Sequence, residues 1–144
     1  MAAWSNAPRS HIVISIILIL WGLAGLASFV NEMLMTPERL AALPIAQQEM
    51  WTSMPGWLWY VFALAVASGF GGAVALLLRR RSALPLFVLS LAAIVVQFGY
   101  TLFVMDAIGK MGLVEAAAFP AVIFLIGVFQ VYYARAAAKK GLLR

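Results

Sequence analysis

The chain has 144 residues, no cysteine, one histidine and a net charge of +5; 65% of it is hydrophobic and 10% charged, with a mean hydropathy of +1.01. A soluble domain carries about 25% charged residues, so the apolar part of this chain is too large for a water-facing shell. The absence of cysteine excludes a disulfide framework, an iron–sulfur cluster and a thiolate metal site, and His11 cannot build a zinc site alone.

The length suits one domain, 1–144. Four windows lack any charged residue: Ser10–Asn31, Met50–Leu78, Ser82–Met105 and Ala116–Ala134. A hydrocarbon core of about 30 Å needs about 20 helical residues. Hydrocarbon offers no hydrogen-bond partner, so each window must be helical. The expected spans are 11–31, 56–78, 84–105 and 116–137. The first apolar run is too long for a signal-peptide core of about 7–15 residues, and it lacks a convincing small-residue cleavage site, so it reads as a retained anchor.

Between the first two spans lies a polar stretch, 35–55. Thr36 precedes Pro37 and Glu38, which is an N-cap, a proline at the first helical position and an acid at the positive end of the dipole. Pro44 ends that short helix or starts a second one through Trp51, and Pro55-Gly56 turns the chain into the second span. Trp51, Trp57 and Trp59 crowd this turn, as aromatics do at a membrane–water boundary. The stretch is expected to lie as two short helices across one end of the bundle, as a roof or as a gate. Ser82 is expected to cap the third span. Gly109 and Gly112 are expected to turn the chain into the fourth, where Pro120 implies a kink or a late end.

The charges give an orientation. Arg9, the run Arg79, Arg80, Arg81, and Arg135, Lys139, Lys140 and Arg144 fall on one side. Arg39, Lys110 and all five acids fall on the other. Basic residues remain in the cytoplasm, so both termini are expected there and 35–55 outside. The Arg run reads as a topology anchor that also meets anionic head groups. Charge placed at membrane edges gives no reason to expect a nucleic-acid partner.

Small residues mark the packing faces. Ala65, Gly69 and Ala73 recur every four residues, as do Ala67, Gly71 and Ala75, and the first span offers Gly22 and Gly25. Such spacing lets helix backbones approach closely. The expected fold is an all-α membrane protein, an antiparallel four-helix transmembrane bundle. The second stripe is left for the third or fourth span, or for another chain.

Polar residues inside spans are the best functional pointers. Gln97, Tyr100 and Thr101 stand at i, i+3 and i+4 and share a helix face. Asn31 and Glu32 end the first span on the same side of the bilayer. Asn31 is expected to meet Gln97 beneath the polar stretch, and these five residues form the candidate polar cavity. No ionisable residue lies near a span's midpoint, which argues against proton coupling. No second histidine, paired carboxylates or phosphate-binding glycine loop suggests an enzyme, a metal or another cofactor.

Thr36, Glu38, Leu40, Ala41, Leu43, Pro44 and Gln47, followed by Trp57 at the start of the second span and Arg79–Arg81 before the third, resemble the pattern of a group of small bacterial four-span inner-membrane proteins often labelled sugar transporters. The resemblance covers most of the chain. It implies the four-span fold, a bacterial inner-membrane location and a small solute, and it brings no binding residues. The uncharged interior and the surplus small-residue stripe favour a non-enzymatic accessory subunit that packs against other membrane proteins or itself. The alternative is a small-solute transporter acting as an oligomer.

Overall fold

The computed structural model describes residues 8–144; the side chains of Met111 and Glu115 lie outside that description, and with them the expected side of Glu115. The described residues form helices and turns without a strand. Four helices are long and apolar enough to cross a membrane. They are α1 (Arg9–Met33), α4 (Gly56–Leu77), α5 (Ala83–Gly99, continued by a wider π turn, Tyr100–Val104) and α7 (Leu113–Lys139). Between them lie short helices α2 (Pro37–Ala41), α3 (Ile45–Ser53) and α6 (Ala107–Met111). Their large apolar side chains stay exposed on the outer faces, among them Val13, Leu20, Phe103, Val114 and Leu125. Water would strip such a surface, whereas hydrocarbon would not.

The long helices pack in chain order, α1 on α4, α4 on α5 and α5 on α7. Helix α4 is the most buried, with Ala65, Gly69, Gly72, Ala73 and Leu76 all inside. A Cβ on Gly22 would lie 3.0 Å from the Phe70 Cα, and one on Gly25 3.2 Å from a Val66 methyl, so α1 and α4 meet almost backbone to backbone. On the other side of α4, a Cβ on Gly72 would lie 2.7 Å from the Phe87 ring and one on Gly69 3.1 Å from the Ser90 hydroxyl. Ala73 and Ala75 are buried, whereas Gly71 is half-buried and Ala67 exposed. The second stripe therefore turns away from its neighbours at its Ala67 end.

The end holding the Arg79–Arg81 turn is closed by hydrogen bonds. Arg79 adopts φ 59°, a left-handed position usually filled by glycine. Its N–H donates to the Leu76 carbonyl at 3.0 Å and that of Arg80 to Ala75 at 2.8 Å. Helix α7 ends the same way on Gly141, φ 77°, with Leu142 N–H donating to Ala137 at 2.9 Å. The tail then pairs with the turn. Arg144 N–H donates to Arg79 O at 2.8 Å, Arg81 N–H to Arg144 O at 3.0 Å, and the Arg79 Nε to Leu142 O at 2.8 Å. Leu143 is buried beneath them. Beside it, His11 Nε2 donates to the Leu76 carbonyl at 2.8 Å and Nδ1 accepts from the Tyr133 hydroxyl at 2.8 Å, joining α1, α4 and α7.

The opposite end is built from short helices. The Thr36 hydroxyl caps α2 by accepting from Arg39 N–H at 3.2 Å. Helix α3 packs against α6, and so lies between the two connections at that end. Trp51 meets Trp59 edge-on at 5.8 Å. Two local expectations differ from the structure. Ser82 sits in a helical conformation with no side-chain cap, because the preceding turn already carries the chain into α5. The segment expected to be a simple glycine turn folds as α6, with Asp106 in the left-handed region accepting from Gly109 N–H at 3.2 Å. Pro120 lies inside α7, which begins a full turn and more before it.

Gly72→Leu is expected to cost about 1–3 kcal/mol, because the side chain must displace the Phe87 ring. Gly71→Leu faces only a Leu86 methyl at 3.8 Å and is expected to leave stability nearly unchanged. Thermal unfolding of the two variants in detergent, followed by tryptophan fluorescence, checks the order; equal midpoints would contradict the close α4–α5 contact.

Candidate functional site

Because α7 packs on α5 and not along α1, the four long helices do not close on themselves. Between them lies a cavity of about 350 Å³, at the small end of the range for small-molecule sites. Its walls are mostly apolar, with Trp21, Phe62, Phe98 and Phe119 among them, and its polar groups are few: Ser28, Glu32, Ser90, Gln97 and Gln130. They come from α1, α5 and α7.

Two of the five candidate cavity residues line this space, Glu32 and Gln97. Asn31 does not meet Gln97. It is exposed, and its side-chain oxygen accepts from Arg39 at 2.6 Å. Consecutive helix residues point about 100° apart, so when Glu32 turns inward Asn31 turns out. Tyr100 packs edge-on against Trp57, centroids 5.0 Å apart, and the Thr101 hydroxyl donates back to Phe98 O at 3.3 Å. Both fall in the π turn, where Met105 N–H reaches back to Tyr100 O at 3.0 Å. The widening follows Tyr100, whose own N–H still bonds the Val96 and Gln97 carbonyls. Ser28, Ser90 and Gln130 complete the polar set. Gln130 was visible in the sequence as an amide inside a span; the serines resemble ordinary packing residues until the helices are set in register.

The hydrogen-bond accounting leaves two buried side-chain atoms without a partner among the described residues, the Trp51 indole nitrogen and the Gln97 amide oxygen, and of these residues Gln97 lines the cavity. Ser15, Ser68 and Ser90 return their hydroxyls to helix carbonyls, Ser90 across to Ala65 O on α4 at 2.8 Å. Gln97 is only 8% exposed, yet its amide oxygen is buried with no hydrogen-bond partner. A buried polar group left unpaired costs about 1–3 kcal/mol. Among the described residues no cation pairs with Glu32 either; Arg39 directs its guanidinium to Asn31 and to the Leu34 carbonyl. No protein-family model, curated protein or solved structure matches the chain.

Gln97→Leu removes the orphaned amide while keeping most of the volume. In the protein without ligand it is expected to leave stability unchanged or raise it by about 1 kcal/mol. A lowered unfolding midpoint in detergent would show that the amide has a protein partner.

Proposed function

We propose that the chain is a multi-pass integral membrane protein that holds a small, membrane-soluble molecule reversibly in the cavity between its four long helices and makes or breaks no bond in it. The observation that carries this reading is the Gln97 amide oxygen, buried at an apolar cavity with nothing to bond. Native structures seldom leave such a group unpaired without a ligand, ion or water to meet it. The aromatic walls suit an apolar body, and the seam between α1 and α7 offers a path from the bilayer. The resemblance to four-span proteins labelled sugar transporters also implies a small solute. Transport of that solute then needs a second step that exposes the cavity to both sides.

The bundle is taken as antiparallel, in a bacterial inner membrane, with the Arg79–Arg81 end cytoplasmic and α2 and α3 facing outward. The asymmetry of Lys and Arg supports this orientation. Placing Cys at Ala46 and at Ser82, one at a time in this cysteine-free chain, tests it. An impermeant maleimide applied to intact cells is expected to label position 46 and spare position 82, and the reverse pattern overturns the orientation.

A second reading is favoured by the same open seam: an accessory subunit whose α1 and α7 receive a helix of a larger membrane complex. Mild purification from native membranes, followed by mass spectrometry of what co-purifies, separates the two. Ser28→Phe places a ring in the cavity from an exposed position of its lining. Under the first reading wild type retains a small molecule that Ser28→Phe lacks. Under the second, both retain the same protein partner in fixed ratio and no small molecule distinguishes them.

A further inference from the structure

The geometry points to a lipophilic amine, an ammonium group on a small aromatic or aliphatic body, as the class of molecule the cavity receives, an inference that rests on the ligand-binding reading above. The polar groups are set at defined heights. Gly25 meets Val66, and Ser90 donates to the carbonyl of the adjacent Ala65, so Gly25 and Ser90 stand level on either side of α4. Seven residues onward toward the α2–α3 end, about 10 Å along each helix, stand Glu32 on α1 and Gln97 on α5. Glu32 and Gln97 therefore share one level of one cavity.

An ionised carboxylate only accepts, whereas the Gln97 amide offers an oxygen acceptor and two N–H donors. Ser90 has already committed its proton to Ala65 O. A guest that meets the Glu32 carboxylate must bring the N–H or O–H bond itself. No lysine, arginine or histidine lines the cavity, so a phosphate, sulfate or carboxylate would enter beside a like charge with no cation to offset its desolvation. A cation is favoured instead. Glu32 has no cationic partner among the described residues, and Phe62, Phe98 and Trp21 line the cavity with aromatic rings, whose faces attract an ammonium and whose bulk packs against an apolar body. The bulk of the guest then extends past Ser28 and Ser90, where the walls are apolar.

The test compares three molecules of one shape: 1-naphthylmethylamine, 1-naphthylmethanol and 1-naphthylacetate. Each is titrated into the full-length protein in phosphatidylcholine nanodiscs, with empty nanodiscs giving the partition background. The amine is expected to bind saturably, one per chain, about tenfold or more tighter than the alcohol, and the acetate not to bind. Glu32→Gln is expected to reduce the amine to the affinity of the alcohol while leaving the alcohol unchanged, and Glu32→Asp to keep the preference. Unfolding midpoints equal to wild type confirm that the variants fold. If either fails to fold, the ranking of the three molecules on wild type still decides. Equal affinity of amine and alcohol, or a preference that survives Glu32→Gln, overturns the amine assignment and leaves the cavity reading intact provided Ser28→Phe abolishes binding. No saturable binding of any of the three removes both.

Discussion

The close approach of α4 to both of its neighbours governs the rest of the molecule. Where lipid is as apolar as a leucine, helices gain little by hiding apolar surface from one another, and association rests on close packing. Gly22 and Gly25 bring α1 onto Phe70 and Val66, and Gly69 and Gly72 bring α5 onto α4 through Ser90 and Phe87. Helix α7 has no comparable purchase on α1. It is held by α5 through Gly127, where a Cβ would touch a Leu91 methyl at 3.0 Å, and at one end by Tyr133 on His11. A row of helices fastened in this way curls around an internal space without sealing it. The cavity is thus a consequence of where the small residues lie.

Polar accounting gives that space its chemistry. Inside a bundle, each hydroxyl, imidazole and amide has to find a partner in the protein or lose free energy. His11 satisfies both ring nitrogens, and the buried serines bond helix carbonyls that are already acceptors. Gln97 follows none of these routes. Helix α5 widens into its π turn just beyond Gln97. Tyr100 packs with Trp57, and the Gln97 amide oxygen is left buried without a partner on a residue that lines the cavity.

The membrane-length helices were legible in the sequence because their signal is local: a run without charge, of sufficient length, ended by Arg or by Pro-Gly. The cap at Thr36 was legible for the same reason, since one short motif contains it. Site residues were harder to read. Glu32 and Gln97 could be singled out as polar groups inside or beside spans, but which of Asn31 and Glu32 turned inward depended on the rotation of α1, which Gly22 and Gly25 fix against α4. Ser28 and Ser90 entered only through interhelical register. The tail was read only as part of the basic side of the bundle. Its pairing with Arg79 depends on a left-handed arginine and on Leu143 finding a cleft, and neither leaves a mark on composition or period.

The two ends of the bundle differ in what must break for it to open. At the Arg79 end, two tight helix terminations, hydrogen bonds between turn and tail, and the His11 bridge tie α1, α4 and α7 into one block. At the α2–α3 end, the helix ends are linked by the short elements α3 and α6, by aromatic edges and by the exposed bond from Arg39 to Asn31. Exposed polar contacts are individually weak, and local opening starts where few buried contacts oppose it. Glu32 and Gln97 lie toward this looser end, and the bond that holds it, Arg39 to Asn31, begins one residue from Glu32. Local opening at this end therefore meets less opposition than at the other, where the hydrogen-bonded turn and tail hold the helices in register.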